Sequence, residues 1–267
     1  MKSYLSYFRL RFVTGLQYRA AAIAGLSTQL FFGIIYVFTY FAFYESNSVN
    51  VPMEINQLVN YLWLNQIFFA LIGMFYKDED ILNLIRSGNI SYELARPQNL
   101  YFIWYFKILS QRLSASLMRG IPLILILFLI PQPYGMSLPS NFVTFLVFVI
   151  TFILGVLLMT AITTLFHVIT IFTLNEKGIT NIMFSISEIL SGLVVPIPFF
   201  PGLMQKISSF LPFKYVSDFP FRIYASHIPL SEVLNGVIIQ LFWIVSLILL
   251  GNILTKKALK KAVVQGG

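Results

Sequence analysis

The sequence predicts an all-α integral membrane protein of six transmembrane helices, and three observations predict it. Hydrophobic residues fill 58% of the 267 positions and charged residues only 10%, giving a mean hydropathy of +0.81. Six apolar stretches, separated by charged or Pro-rich connectors, approach the roughly 20 residues a helix needs to span the hydrocarbon. Lysine and arginine gather in alternate connectors. A soluble domain with a large buried helical core is the competing reading, and the composition weighs against it.

The spans are read as 21–43, 58–76, 113–130, 142–166, 179–195 and 233–254. With the N-terminus in the cytoplasm, every base except Lys206, Lys214 and Arg222 falls inside. The positive-inside rule demands such a bias, so both termini are expected in the cytoplasm and the chain in the cell membrane. The net charge of +8 then reports topology and contact with anionic membrane lipid, not nucleic-acid binding. There is no cysteine, hence no disulfide, thiol nucleophile or Cys-based metal site. The basic lead-in and the long first span do not fit a cleavable signal peptide. One membrane domain, 1–267, is expected, with no soluble domain attached and no repeat architecture.

Residues 1–20 place Leu5, Phe8, Phe12 and Leu16 near helical spacing with bases on other faces, the pattern of an amphipathic helix lying in the interface. A solvated basic lead-in is the alternative. In the first span Ala21, Gly25, Gln29 and Gly33 recur every four residues, a ridge that permits close helix approach in lipid. The outer loops 44–57 and 131–141 are short.

The connector 77–112 is longer and charged. Asp78, Glu79 and Asp80 sit where a helix N-terminus favours acids, and Ser87-Gly88-Asn89 breaks that helix. A second short helix begins near Ser91 and must end before Pro97. The aromatic run Tyr101, Phe102, Trp104, Tyr105 and Phe106 suits the interfacial belt. The result is a helical knob on the cytoplasmic side, suited to docking, with a solvated linker as the alternative.

In the fifth span Asn181, Ser185, Glu188 and Gly192 follow spacings of four, three and four and are expected on one helical face. A carboxyl group is costly in lipid, so Glu188 should face protein or water. The stripe either lines a translocation path or serves helix packing. His167 reads as a packed polar group. Beyond Val195, Pro196, Pro198, Pro201 and Pro212 forbid a continuous helix, and residues 196–232 are expected to form a re-entrant or surface-lying outer cap. Its charges, Lys206, Lys214, Asp218 and Arg222, are expected at the outer headgroups. Residues 255–267 form a basic cytoplasmic tail.

The chain carries no G-x-x-x-x-G-K-[ST], no H-E-x-x-H and no G-x-S-x-G. Its two histidines, His167 and His227, fall on opposite sides of the membrane. No catalytic residue, cofactor or metal site is therefore assigned, and an enzyme is not expected. What remains is a passive membrane subunit with a docking knob, which points to an engine on another chain.

At residues 86–101, R-S-G-N-I-S-Y-E-L-A-R-P-Q-N-L-Y is similar to a G-x-[IL]-x-x-x-L-x-[RK]-P-x-[ND] signature of ABC-2-type transporter permeases. The segment S-G-L-V-V-P-I-P-F-F-P at 191–201, with L-P-F-K-Y at 211–215, resembles the exit of the fifth span in the same group. The order of elements resembles it throughout. The resemblance implies a dimer of permease subunits, alike or different, above two separate ABC ATPase subunits. It implies that Gly88, Tyr92, Glu93, Leu94, Arg96 and Pro97 form the coupling helix that meets the ATPase. It also implies that the second and fifth spans flank the pathway, where Glu188 departs from the expected apolar residue. A stand-alone secondary transporter or channel is the runner-up, although only one buried acid supports it. A non-transporting membrane scaffold is the third reading.

Overall fold

The computed structural model describes residues 2–46, 51–72, 78–90, 93, 98–173 and 176–265. Among these residues the regular structure is helical: α1 (Lys2–Gly15), α2 (Arg19–Ser46), α3 (Ile55–Ile72), α4 (Glu79–Arg86), α5 (Leu100–Leu127), α6 (Phe142–Thr173) and α7 (Glu176–Leu190) come first. Two single 3-10 turns, Ile197–Phe199 and Phe213–Tyr215, alternate with the short helices α8 (Gly202–Phe210) and α9 (Asp218–Tyr224), and α10 (Leu230–Gln265) follows. Helices α2, α6 and α10 are long and apolar enough to cross a membrane. The 18 residues of α3 rise about 27 Å at 1.5 Å per residue.

α6 lies at the centre, against α10, α9 and α5. Its threonines do not leave hydroxyls unsatisfied inside the bundle. Thr151, Thr160, Thr163 and Thr164 each donate to the carbonyl one turn earlier, at 2.7–3.0 Å. The buried Gln240 of α10 donates from Nε2 to the Thr151 and Tyr215 carbonyls, at 2.9 and 2.8 Å, and so ties α6, α10 and the second 3-10 turn together. An exposed apolar helix surface surrounds this core, with Phe31, Phe142, Leu234 and Phe242 all turned outward.

Two sequence expectations are corrected here. The sequence places a third span at 113–130, but the helix that holds most of it runs from Leu100 to Leu127, with Asn99 as the cap whose side chain accepts from the Tyr101 N–H. The aromatic run is therefore the first turns of α5. Tyr101 and Trp104 are buried in protein, not set in an interfacial belt, and the Tyr101 ring lies against Gly251 of α10. In α1 the packed stripe is Tyr4, Tyr7, Phe8, Arg11, Phe12, Gly15 and Leu16, while Leu5 points outward. Docking α1 along α5 sets this register, with the Tyr4 hydroxyl accepting from the Asn99 N–H at 2.9 Å.

The small-residue ridge of α2 serves close approach at two of its positions. A Cβ on Gly25 would collide with the Arg119 guanidinium of α5, and one on Gly33 with the Trp63 ring of α3.

Candidate functional site

Three regions hold the residues singled out from the sequence: the Pro-rich cap, the α7 face and the turn that follows α4. In the cap, Pro196 and Pro201 stand immediately before the first 3-10 turn and α8, and Pro212 precedes the second turn, where the absent N–H of proline costs nothing. Pro198 lies within the first turn. α8 is exposed, its Phe210 at 80%. The rest of the cap turns inward, and Tyr215 to Ala225 are buried except for the half-buried Arg222. Gly155 of α6 makes room for this, because a Cβ there would strike the Val216 carbonyl.

The inward segment carries a polar knot. Asp218, expected at the headgroups, is instead 0% exposed. Its Oδ1 accepts from the Tyr61 hydroxyl of α3 at 3.1 Å and from the Ile197 N–H at 3.3 Å, and its Oδ2 pairs with Arg222 at 3.4 Å. The same Tyr61 hydroxyl lies 3.0 Å from the Gly192 carbonyl. Ser217 donates to the Ser191 carbonyl at 2.9 Å. Arg222 in turn donates to His227 Nδ1 at 3.0–3.1 Å, and His227 Nε2 donates to the Pro52 carbonyl at 3.0 Å. Burial holds His227 below the ordinary imidazole value, and the neighbouring Arg222 charge pushes the same way. A buried carboxylate is tolerated here because a cation and N–H and O–H donors surround it.

On α7, Asn181 and Ser185 are exposed and Glu188 is half-buried. Gly192 does not share their helical face. The helix ends at Leu190, and Gly192 follows in the left-handed conformation at φ +81°, which terminates the helix and aims its carbonyl at Tyr61. Glu188 lines a cavity of about 270 Å³ between α2, α3 and the end of α7, together with Gln29 and Gln66. Sequence reasoning had placed Gln29 on a packing ridge and had not singled out Gln66. Its signal was available, since Asn60, Asn65 and Gln66 interrupt an otherwise apolar span.

In the connector between α3 and α5, Asp78 caps α4, its carboxylate accepting from the Ile81 N–H at 3.0 Å. Gly88 follows in an exposed left-handed turn at φ +70°, and Ile90 tucks back into the core. Glu93 is half-buried and lines a cleft with Asn83, Arg86, Asn89 and Trp104. Tyr92, Leu94, Arg96 and Pro97 lie outside the described residues.

Behind this turn three of the connector's charged residues, Asp78, Lys107 and Arg112, are internal. Lys107, counted from sequence as a cytoplasmic base of the connector, is buried and ion-paired with Asp78 at 2.6 Å and Asp80 at 2.8 Å. Arg11 of α1 reaches Asp80 at 3.3 Å. The hydrogen bond from Lys107 holds Asp80 below the usual carboxylate range against its partial burial, and Arg11 adds to the effect. Arg112 is also buried, donating to the Leu71 carbonyl at 2.8 Å and Thr163 Oγ1 at 3.1 Å. His167 is packed among them, accepting at Nε2 from the Asp78 N–H at 3.1 Å, with Nδ1 2.8 Å from the Thr163 carbonyl. Lys107 and Arg112, counted from the sequence as cytoplasmic connector charges, hold the helices together, and His167 is packed as its sequence context suggests.

No curated protein and no solved structure matches the chain. A family model described as "ABC-2 family transporter protein" matches residues 30–266, which takes in α3 to α10 and most of α2. With that match over nearly the whole chain, this integral membrane protein belongs to the ABC-2 transporter family.

Proposed function

We propose that the chain is the transmembrane permease subunit of an ATP-driven ABC exporter, working as a homo- or heterodimer with separate nucleotide-binding subunits. Family membership over residues 30–266 carries the reading, supported by a sequence that holds no P-loop of its own. In this proposal six helices cross the cell membrane with both termini in the cytoplasm. α3, α5 and α7 join the three long apolar helices as spans.

Gly88, Tyr92, Glu93, Leu94, Arg96 and Pro97 form the surface that meets the ATPase. α4 offers that surface a firm base, because Asp78 is fixed by both Lys107 and His167. A displacement imposed there passes to α1 through Arg11–Asp80 and to α5 through Lys107. The pathway runs along the α7 face that carries Asn181, Ser185 and Glu188, with Gly192 ending the helix at the cap. ATP binding then shifts the balance between two packings of α3 against α7, and the cap is the outer gate.

The test is purification of the tagged protein from native membranes in mild detergent, with mass spectrometry of co-eluting proteins, beside a Glu93→Ala, Arg96→Ala control. A P-loop ATPase that co-elutes with the native chain and is lost from the control supports the assignment. Absence of an ATPase after gentle cross-linking overturns it in favour of a stand-alone carrier.

A further inference from the structure

The cavity between α2, α3 and the end of α7 holds an unmet demand. Gln29 is 3% exposed, lines that cavity, and neither its Oε1 nor its Nε2 has a hydrogen-bond partner. A buried amide left without partners is costly, more so at membrane depth where water is scarce. Gln29 stands ten residues into α2, about 15 Å along the helix from Arg19, which is near the middle of a bilayer about 30 Å thick. Gln66 of α3 and Glu188 of α7 line the same space, with Phe32, Tyr36 and Phe69. Among the described lining residues none is basic.

We infer that this cavity binds the protonated amine of a cationic amphipath, and that such molecules are the substrate class of the transport pathway. The inference rests on the permease reading above. A carboxylate at this depth needs a counter-charge, and the described residues of the cavity wall supply none. An ammonium donates to Glu188 and to the free carbonyl oxygens of the two glutamines. Phe32, Tyr36 and Phe69 add aromatic faces, which attract cations within about 6 Å.

An anion meets Glu188 as a like charge. A purely apolar ligand leaves Gln29 unpaired, the situation in which polar sites reject analogues most strongly. The size fits a head group and not a whole molecule. At about 270 Å³ the cavity falls just under the roughly 300–1,000 Å³ range of sites that enclose drug-sized ligands. Phe32 and Val194 of its lining are about half exposed, beside the outward-facing Phe31 and Ile35, so an apolar tail can lie along α2.

The experiment uses the full chain in lipid nanodiscs with three fluorescent probes of one skeleton: a dansyl-labelled octylammonium, the neutral alcohol and the carboxylate. Empty nanodiscs give the partition background. The ammonium probe is expected to bind on the order of tenfold more tightly than the alcohol. Glu188→Gln is expected to erase that preference while retaining the weaker alcohol binding, which also shows that the variant is folded. Gln29→Leu is expected to weaken ammonium binding by a similar factor.

Because the native chain lacks cysteine, Gln29→Cys places a single thiol in the cavity, and the ammonium probe is expected to slow its alkylation by a maleimide. Equal affinities for ammonium and alcohol overturn the inference, as does a preference that survives Glu188→Gln. A Gln29→Cys chain that cross-links quantitatively to a second copy also overturns it, since a second copy then fills the cavity. ATPase co-purification is read in parallel. An intact complex without ammonium preference rejects the substrate class alone, whereas a missing ATPase rejects the permease reading beneath it.

Discussion

The Tyr61 hydroxyl of α3 sits 3.1 Å from Asp218 Oδ1 of α9, and both side chains are fully buried. One oxygen thus links the second expected span to the inward half of the cap, while the Gly192 carbonyl at 3.0 Å brings in the end of α7. Elements separated by up to 157 residues meet at this point.

Tyr61→Phe removes that hydroxyl and leaves Asp218 and the turn after α7 short of a donor. The expected cost is about 1–3 kcal/mol, the usual penalty for stranding a buried polar group. Thermal unfolding of the detergent-purified protein should show Tyr61→Phe melting several degrees below the native chain. An unchanged midpoint would show that the knot does not hold the cap.

Gly192→Ala tests the left-handed turn independently. The backbone there is at φ +81°, and an added Cβ would lie 2.5 Å from the Tyr61 hydroxyl. Strain of about 1–2 kcal/mol is expected from the conformation alone, with the clash adding to it. Gly202→Ala, where nothing lies within 4 Å of the added carbon, is the matched control and should melt like the native chain.

Breaking the Lys107–Asp78 pair should be more damaging than removing it. Both side chains are almost sealed from solvent, at 4% and 2% exposure. Lys107→Met alone removes the buried cation that bridges Asp78 and Asp80, and a cost of about 3–5 kcal/mol is expected. The double variant Lys107→Met, Asp78→Asn should recover part of that loss. Fluorescence-detected size exclusion after graded heating would compare them, and additive losses would refute the coupling.

The cap should loosen in acid. His227 accepts from Arg222 at Nδ1, so it must be neutral there, and burial depresses its folded pKa below that of the unfolded chain. The unfolded state then takes up a proton before the folded state does. The stabilising contribution is complete above about pH 6.5 and disappears as pH falls through the depressed folded value. Limited proteolysis of the cap between pH 8 and pH 5 should accelerate in acid. His227→Gln should flatten that dependence, and an identical profile in the variant would refute it.

Much of the fold was legible because lipid restricts what a chain can do. Apolar runs of span length, the Asp78 cap and the Gly88 break follow from local rules, and the 3-10 turns and short helices of 196–224 follow from their prolines. The site was less legible. The spacing of Asn181, Ser185, Glu188 and Gly192 marked α7, yet Gly192 proved to end the helix, because helical periodicity says nothing about where a helix stops. Asn60, Asn65 and Gln66 are visible as polar residues in an apolar span, but Asn60 finds its partner, Ser137, 77 residues away, and nothing local in the chain points to it.

By itself the sequence determined a helical membrane protein, the approximate place of its helices and a likeness to ABC-2 permeases, since hydropathy, charge asymmetry and proline positions act through neighbours in the chain. Only the tertiary structure decided which charges are internal. Lys107, Arg112 and Asp218 look like any other surface charges until helices from distant parts of the chain supply their partners. It also decided which glutamine is left without one. Burial and pairing are properties of the packed assembly, and a carboxylate or amide acquires its role only from what surrounds it in space.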